Sequence, residues 1–93
     1  MPDELMTREV ERLIAGLGAG IESSPEVCGG EPCVAGTRIT VRTLEQYRRQ
    51  GLTEAQLLDA YPALRATDLV NAWAYVAAHP GEVERLIRED EEA

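Results

Sequence analysis

The sequence predicts a mainly α protein: a three-helix helix-turn-helix bundle that follows a short β arm and is flanked by one further helix at each end. Two observations lead to this prediction. Apolar residues recur at the three- and four-residue spacing of a helical face through most of the chain. They are interrupted by one stretch, residues 21–39, that is rich in Gly and Pro and too irregular for a helix.

The 93 residues are enough for one domain, and we expect four parts within it. These parts are an N-terminal helix (1–20), the Gly- and Pro-rich β arm (21–39), the helix-turn-helix core (40–79), and a C-terminal helix with an acidic tail (80–93). A chain of this size buries only about 60–65% of the surface that it exposes when unfolded. We therefore expect the protein to associate with itself as a homodimer.

Composition and charge narrow the function classes. No run of about 18 apolar residues is present, and the first four residues, Met-Pro-Asp-Glu, include two acids and no cation, so we expect no membrane span, no signal peptide and a cytoplasmic location. The net charge of −8 argues against indiscriminate nucleic-acid binding, because affinity for the phosphate backbone comes from cations. The charge is uneven: both ends are acidic, whereas residues 34–79 carry five Arg against four acids. Local contact with nucleic acid is thus permitted but not required.

The first predicted helix has one apolar face. Its residues fall at helical spacing: Met6, Val10, Leu13, Ile14 and Leu17. Glycines at positions 16, 18 and 20 end this helix. The acidic segment around it offers this face no partner, so we expect the face to pack on the later helices or on another copy of the chain.

The arm is expected to be architectural. Gly29, Gly30 and Gly36 would set its bends, because glycine adopts positive φ without steric cost, and Pro32 fixes φ between them. Extended segments at 21–23 and 32–34 would pair with each other or with a neighbouring subunit, and a turn that reaches Thr37 closes the second.

Cys28 and Cys33 lie five positions apart within this arm. Even with His79 they supply three ligands, one fewer than a structural zinc site needs, so we expect no metal. A disulfide across a hairpin is geometrically possible, but a cytoplasmic setting disfavours it. We interpret both as small buried apolar side chains.

Three helices are predicted after the arm: Val41–Gln50, Glu54–Ala60 and Ala66–Ala78. Thr40 is the expected N-cap of the first helix, and Thr53 forms a capping box with Gln56 at the start of the second. Pro62 separates the second from the third. These lengths and this short turn are typical of a helix-turn-helix unit, although any compact three-helix bundle gives a similar pattern.

Candidate DNA-binding residues lie on and around these helices: Arg38, Arg42, Arg49, Arg65 and Asn71. Arg42 and Arg49 are seven residues apart, share a helix face and could hold backbone phosphates, whereas Asn71 could pair with adenine. The alternative is a solvated face that Glu45 partly neutralises. The predicted outward positions of the third helix favour that alternative, since they hold no cation: Thr67, Asn71, Ala74, Tyr75 and Ala78.

The final helix begins at Pro80, where the missing N–H of proline costs nothing. It is amphipathic with a narrow apolar stripe, and its end is expected to fray from Arg88 onwards. As a short terminal helix it could dock on a partner, through a set of five candidate residues: Val83, Arg85, Leu86, Ile87 and Arg88.

Catalysis has little support in the sequence. His79 is the one histidine, and no Ser-His-Asp, Cys-His, paired-carboxylate or phosphate-loop pattern surrounds it. We therefore expect a protein that is not an enzyme, with no catalytic residues and no cofactor.

The arm and the core together resemble a known bacterial family. The segments that carry the resemblance are PEVCGGEPCVAGTRITV (residues 25–41), GLTEAQLL (51–58), YPAL (61–64) and DLVNA (68–72). They resemble the signature of the domain-of-unknown-function 433 family over about residues 21–79. Arg65 departs from the pattern, because it stands where the family usually has a helix-capping Ser or Thr.

The resemblance implies a homeodomain-like helix-turn-helix fold, and it implies a function, since some members look like VapB-type antitoxins. By that resemblance the protein would bind and silence a PIN-like nuclease toxin and, as a dimer, would bind its own promoter DNA. The alternative is a dimeric interaction module that never contacts nucleic acid, which the acidic balance favours.

Overall fold

A computed structural model of the chain describes residues 20–93. Its strands are β1 (Ile21–Glu22) and β2 (Cys33–Val34), and its helices are α1 (Val41–Arg49), α2 (Glu54–Ala60), α3 (Ala66–Ala78) and α4 (Pro80–Glu92). The predicted mainly α class with a short β arm is confirmed. The predicted N-terminal helix lies outside the described residues.

The arm folds back on itself, as predicted. β1 and β2 pair antiparallel, with Ile21 opposite Val34 and Glu22 opposite Cys33. The chain between them turns at Pro25, where the Val27 N–H donates to the Ser24 carbonyl at 3.0 Å, and then passes through a short 3₁₀ turn at Cys28–Gly30. Two strands of two residues are marginal alone, so the arm depends on its packing against α3 and α1.

The link from the arm to α1 is fixed by hydrogen bonds. The Thr37 hydroxyl donates to the Val34 carbonyl and accepts from the Ile39 N–H, which closes the predicted turn. The Val41 N–H then donates to the Pro32 carbonyl at 3.0 Å. The first turn of α1 is therefore joined directly to the arm.

The predicted helix starts are present in the structure. Thr40 caps α1 by accepting from the Thr43 N–H, and Thr53 forms a complete capping box with Gln56 on α2. α3 begins after Arg65, whose side chain makes no cap bond. Instead the Asp68 carboxylate accepts from the Arg65 N–H at 2.8 Å, so the helix start is satisfied without a Ser or Thr.

The C-terminal segment differs from its prediction. α4 continues to Glu92 and does not fray from Arg88 onwards. Its last turns are held from outside, because Asp90 accepts from Gln46 at 3.0 Å and contacts Arg42 at 3.2 Å, both on α1.

The core is formed where α1, α3 and α4 meet, with contributions from the arm and α2. Its buried members are Val34, Val41, Leu44, Leu57, Leu64, Leu69, Ala72, Val83 and Ile87. The last two come from α4, which packs on α1 and α3 as part of the fold. None of the helices within residues 20–93 is both long and apolar enough to cross a membrane.

Candidate interaction groove

A groove lies between the arm and the outer side of the α3–α4 pair. Its volume is about 390 Å³. The arm supplies one wall and α4 the other, with Tyr75 of α3 among the lining residues: Ser23, Gly29, Gly30, Glu31, Pro32, Tyr75, Glu82, Arg85, Leu86 and Glu89.

The arm wall is shaped by three successive residues with positive φ. Cys28, Gly29 and Gly30 have φ of 54°, 62° and 89°. Glycine adopts these angles freely, whereas Cys28 does so at some cost, and its thiol is held by donation to the Arg38 carbonyl at 3.3 Å. The two glycines of this tight turn bring backbone without side chains to the arm wall, beside Ser23, Glu31 and Pro32.

The groove is acidic. Three acids line it, Glu31, Glu82 and Glu89, against one lining cation, Arg85. Glu89 pairs with Arg85 at 3.1 Å and Glu31 with Arg42 at 2.9 Å, so Glu82 is the lining acid that has no cationic partner among the described residues. The Tyr75 hydroxyl donates to Glu82 at 2.5 Å. Burial raises the pKa of Tyr75, and the hydrogen bond to Glu82 raises it further, so this tyrosine stays a neutral donor. The chemistry of the site therefore suits a cationic ligand.

A smaller and more apolar hollow of about 150 Å³ adjoins the groove. It shares Ser23, Pro32 and Tyr75 with the groove and adds Ile21, Glu22 and His79. The His79 ring stacks on Tyr75, with ring centroids 4.3 Å apart. The two spaces form one trough with an acidic end and an apolar end.

Two of the predicted DNA-binding arginines are occupied within the molecule. Arg42 contacts Glu31 at 2.9 Å, Asp90 at 3.2 Å and Gln46 at 2.9 Å, and its side chain is only 17% exposed. Arg49 contacts Glu84 on α4. They share a face of α1, as predicted. α4 and the arm cover Arg42 on this face, whereas Arg49 pairs with α4 but stays 44% exposed.

Glu45 contacts the two arginines that follow it on α1, Arg48 and Arg49. We had expected it only to neutralise part of the face that Arg42 and Arg49 share. Its carboxylate is buried and contacts Arg49 at 2.9 Å and Arg48 at 2.6 Å. Arg48 in turn lies over the Trp73 ring, 4.1 Å from its centroid, which joins α1 to α3. Sequence reasoning missed this contact, since nothing in the spacing of α1 indicates which aromatic ring faces it.

The other predicted nucleic-acid residues have different surroundings. Arg38 and Arg65 are exposed, and neither pairs with a carboxylate of another described residue. Asn71 is half-buried beside Gly20, where the arm meets α3. Of the five predicted side chains, Arg38 and Arg65 are thus the two that are exposed and have no ion-pair partner among the described residues.

The predicted partner-binding residues divide into three groups. Arg85 and Leu86 line the groove, and Arg88 is exposed. Val83 and Ile87 are only 1% and 4% exposed, because the apolar stripe of α4 faces the core. Their predicted role in partner binding is therefore corrected to a structural one.

Tyr75, Glu82 and Glu89 were missed as site residues by sequence reasoning, and Tyr75 was expected to point outward. It is half-buried, since the arm covers that side of α3. Pro80 interrupts the helical register between Tyr75 and Glu82, so spacing along the chain could not indicate that their side chains meet. Within residues 20–93, no group of three or more His, Cys, Asp or Glu side chains is arranged to hold a metal ion.

The fold and the groove define a class: a small, mainly α protein in which a β arm closes a groove against the last helix. The family described as protein of unknown function (DUF433) matches residues 21–76, which is more than half of the chain. The protein belongs to this family, as its sequence motifs predicted.

A solved structure of a family member agrees with this assignment, and a second protein is similar in sequence. A crystal structure of a DUF433 member from Anabaena variabilis ATCC 29413 is 39% identical, with a TM-score of 0.73 over 95% of this chain and 86% of that one. The uncharacterized protein y4eO of Sinorhizobium fredii is 35% identical over 60 residues, which is 64% of this chain. The match spans 27% of y4eO, so this chain corresponds to about a quarter of that relative.

Proposed function

We propose that this protein is a non-enzymatic interaction module whose groove binds a basic segment of a protein partner. The observation that carries the proposal is Glu82, a groove-lining acid that makes no ion pair with another described residue and lies beside two further acids, Glu31 and Glu89, that are paired with Arg42 and Arg85. A Lys or Arg side chain of a partner would enter this field favourably, and oppositely charged surfaces also speed association.

The adjoining apolar hollow refines the ligand class. An aliphatic or aromatic side chain next to the basic residue would fit against Pro32, Tyr75 and His79. The expected ligand is therefore a segment in which basic and apolar residues alternate. Apolar contact would contribute affinity, and the carboxylates would set orientation.

Some members of the family look like VapB-type antitoxins, and this likeness suggests which kind of protein the partner is. A nuclease that holds RNA needs a basic surface, and an acidic groove is complementary to such a surface. Under this proposal the protein would neutralise a PIN-like nuclease toxin in the cytoplasm, where the free thiols of Cys28 and Cys33 would stay reduced.

The binding test uses a labelled peptide with the sequence Arg-Leu-Arg-Tyr-Arg-Leu and fluorescence anisotropy. We expect salt-dependent binding to the parent protein, and we expect Glu89→Lys to weaken it by about tenfold or more, because the change replaces a groove carboxylate with a cation. The matched control is Glu91→Lys, which makes the same charge change at an exposed position on the same helix, outside the groove.

Two results would count against the groove. If the peptide did not bind the parent at low salt, the proposed ligand class would be wrong. If Glu91→Lys weakened binding as much as Glu89→Lys, the attraction would come from net charge rather than from this site.

Promoter binding by a dimer is the second candidate function. The observation that favours it is the exposure of Arg38, just before α1, and of Arg65, in the turn between α2 and α3. Neither makes an ion pair with another described residue. Titration with the DNA upstream of its own gene at two salt concentrations tests it, since phosphate contacts give a steep salt dependence. Binding that is lost in the Arg38→Ala, Arg65→Ala double variant would favour this function, and absence of binding at low salt would exclude it.

A further inference from the structure

The two cysteines of the arm meet in the folded chain. Cys28 lies in the 3₁₀ turn and Cys33 in β2, and both are free thiols. Their side chains are joined by a hydrogen bond. The segment that leads into α1 holds both residues: the Cys28 thiol donates to the Arg38 carbonyl at 3.3 Å, and Cys33 forms an antiparallel bridge with Thr40. The fold therefore brings two thiols into contact across the residues that separate them in the sequence.

The two thiols differ in their access to solvent. Cys28 is half-buried, whereas Cys33 is 0% exposed. A reagent in solution thus reaches Cys28 and not Cys33, and Cys33 contacts the sulfur that the reagent modifies. An accessible cysteine beside a second cysteine that can attack it is the arrangement found in oxidant-sensing pairs.

The turn that follows Cys28 has room for a new bond. A residue other than glycine with a positive φ, here Cys28 at 54°, indicates a constraint that the surrounding structure imposes. The next two residues, Gly29 and Gly30, adopt a wide range of backbone angles at little cost. A Cβ built at Gly29 would meet nothing within 4 Å, so the backbone there is free to shift. A small movement of Cys28 toward Cys33 therefore meets little steric resistance.

We propose that Cys28 and Cys33 form a reversible disulfide when a hydroperoxide oxidises Cys28. The Cys28 sulfur attacks the terminal oxygen and the O–O bond breaks, which gives a sulfenic acid; the Cys28 proton leaves on the other oxygen as an alcohol, or as water when the oxidant is hydrogen peroxide. The Cys33 sulfur then attacks the Cys28 sulfur. The S–S bond forms as the S–O bond breaks, and the hydroxyl leaves with the Cys33 proton as water. Two electrons pass from the thiols to the hydroperoxide, and a small reducing thiol restores both cysteines by exchange.

A disulfide of this kind suits a reducing cell compartment and acts on the arm. Cytoplasmic conditions disfavour a permanent structural disulfide but allow a transient, redox-sensing one. The oxidised Cys28 sulfur has no proton to donate, so the hydrogen bond to the Arg38 carbonyl is lost. Gly29 and Gly30, which follow Cys28, line the arm wall of the groove. Oxidation would therefore change the turn that shapes this wall, whatever ligand the groove binds.

Treatment of the reduced full-length chain with a small excess of hydrogen peroxide tests this proposal. The chain is then denatured and alkylated with iodoacetamide, and its intact mass is measured. We expect the parent to lose two hydrogen atoms and to take up no alkyl group, and we expect a reducing thiol to restore both alkylation sites. The amide NMR signals of Gly29, Gly30 and Arg38 should shift on oxidation and return on reduction.

Two variants separate the roles of the thiols. Cys33→Val removes the second thiol and keeps an apolar side chain of similar size in its buried site. Cys28 should then stop at the sulfenic acid and be trapped by dimedone, whereas the parent should give at least about tenfold less of this adduct. Cys28→Ser should leave Cys33 reduced, since peroxide does not reach it.

Three results would overturn the proposal. The first is a parent chain that keeps both alkylation sites after treatment. The second is a parent that accumulates as much dimedone adduct as Cys33→Val, because Cys33 would then not attack Cys28. The third is a disulfide that joins two chains on a non-reducing gel, since the thiols in contact would then not be the ones that react.

Discussion

The Cys33 thiol shows how one residue is controlled by its surroundings. It is fully buried, and burial raises its pKa to about 11, with a further contribution from the neighbouring Cys28 thiol. Because the thiolate is the reactive form, Cys33 is protected from thiol reagents in two ways: its burial blocks their access, and its raised pKa keeps it protonated.

Selective alkylation follows from this environment. At pH 8 we expect iodoacetamide to modify the half-buried Cys28 and to spare Cys33 in the folded protein. In denaturant both should react, and mass spectrometry of the digested protein distinguishes the two sites. Equal rates in the folded protein would show that Cys33 is accessible.

Gly20 is a second residue whose identity is explained by its surroundings. Its φ is +84°, and a side chain there would meet Asn71 at 2.9 Å. We expect Gly20→Ala to lower the free energy of unfolding by about 1–3 kcal/mol, since a left-handed backbone and a steric clash add together. Gly51→Ala is the matched control: its φ is +97° but nothing lies within 4 Å, so urea unfolding should show the smaller loss.

At the level of elements, the start of α2 is a local feature that the sequence predicts. The Thr53 side chain accepts from the Gln56 N–H at 3.1 Å, and the Gln56 side chain accepts from the Thr53 N–H at 2.8 Å. Thr53→Ala should cost about 1 kcal/mol of stability, because one N–H of the first turn loses its acceptor. Thr53→Ser keeps the hydroxyl and should be nearly neutral in the same urea experiment.

The joint between α1, α4 and the arm is a tertiary feature. Arg42 of α1 reaches both Glu31 on the arm and Asp90 on α4, so a single side chain holds three elements. Arg42→Met should lower the free energy of unfolding by about 1.5–3 kcal/mol, since it leaves the half-buried Glu31 carboxylate without its charged donor and removes the contact with Asp90. Arg88→Met, at an exposed position that pairs with no described carboxylate, should change it by less than about 0.5 kcal/mol. Equal effects would mean that the joint contributes nothing.

For the whole molecule, acid should loosen the docking of α4. The pKa of Glu84 lies below its ordinary value of 4.5, because Arg49 donates to its carboxylate and attracts its charge. A lowered pKa in the folded state means that this stabilisation is complete above pH 4.5 and is lost as the pH falls through the lower folded value.

We therefore expect the urea midpoint of unfolding to fall as the pH is lowered below about 4.5. Glu84→Gln removes the titrating group, so the variant should start lower at neutral pH and decline less steeply. A decline as steep as that of the parent would assign the acid sensitivity to other carboxylates.

Much of the secondary structure could be predicted because its causes are local. The threonine caps of α1 and α2, Pro62 and the spacing of apolar residues determine the starts and ends of α1, α2 and α3 within a few positions. The pairing of the arm strands was also predictable, since short extended segments flank glycine-rich bends. By contrast, the end of α4 was predicted wrongly, because its last turns are held by Gln46 and Arg42, which are more than forty residues away in sequence.

The sequence by itself determined the class of fold, the family and most helix boundaries, since these depend on neighbours within a few residues. Only the tertiary structure decided what the side chains do. The sequence allowed Arg42 and Arg49 to be free cations, and it allowed Val83 and Ile87 to form a docking surface. The packing of α4 on α1 pairs the two arginines and buries the two apolar side chains. The groove exists because Tyr75, Glu82 and the arm meet across breaks in the helical register. A contact between distant parts of a chain leaves no periodic signal in the sequence, whereas a cap or a helix face does.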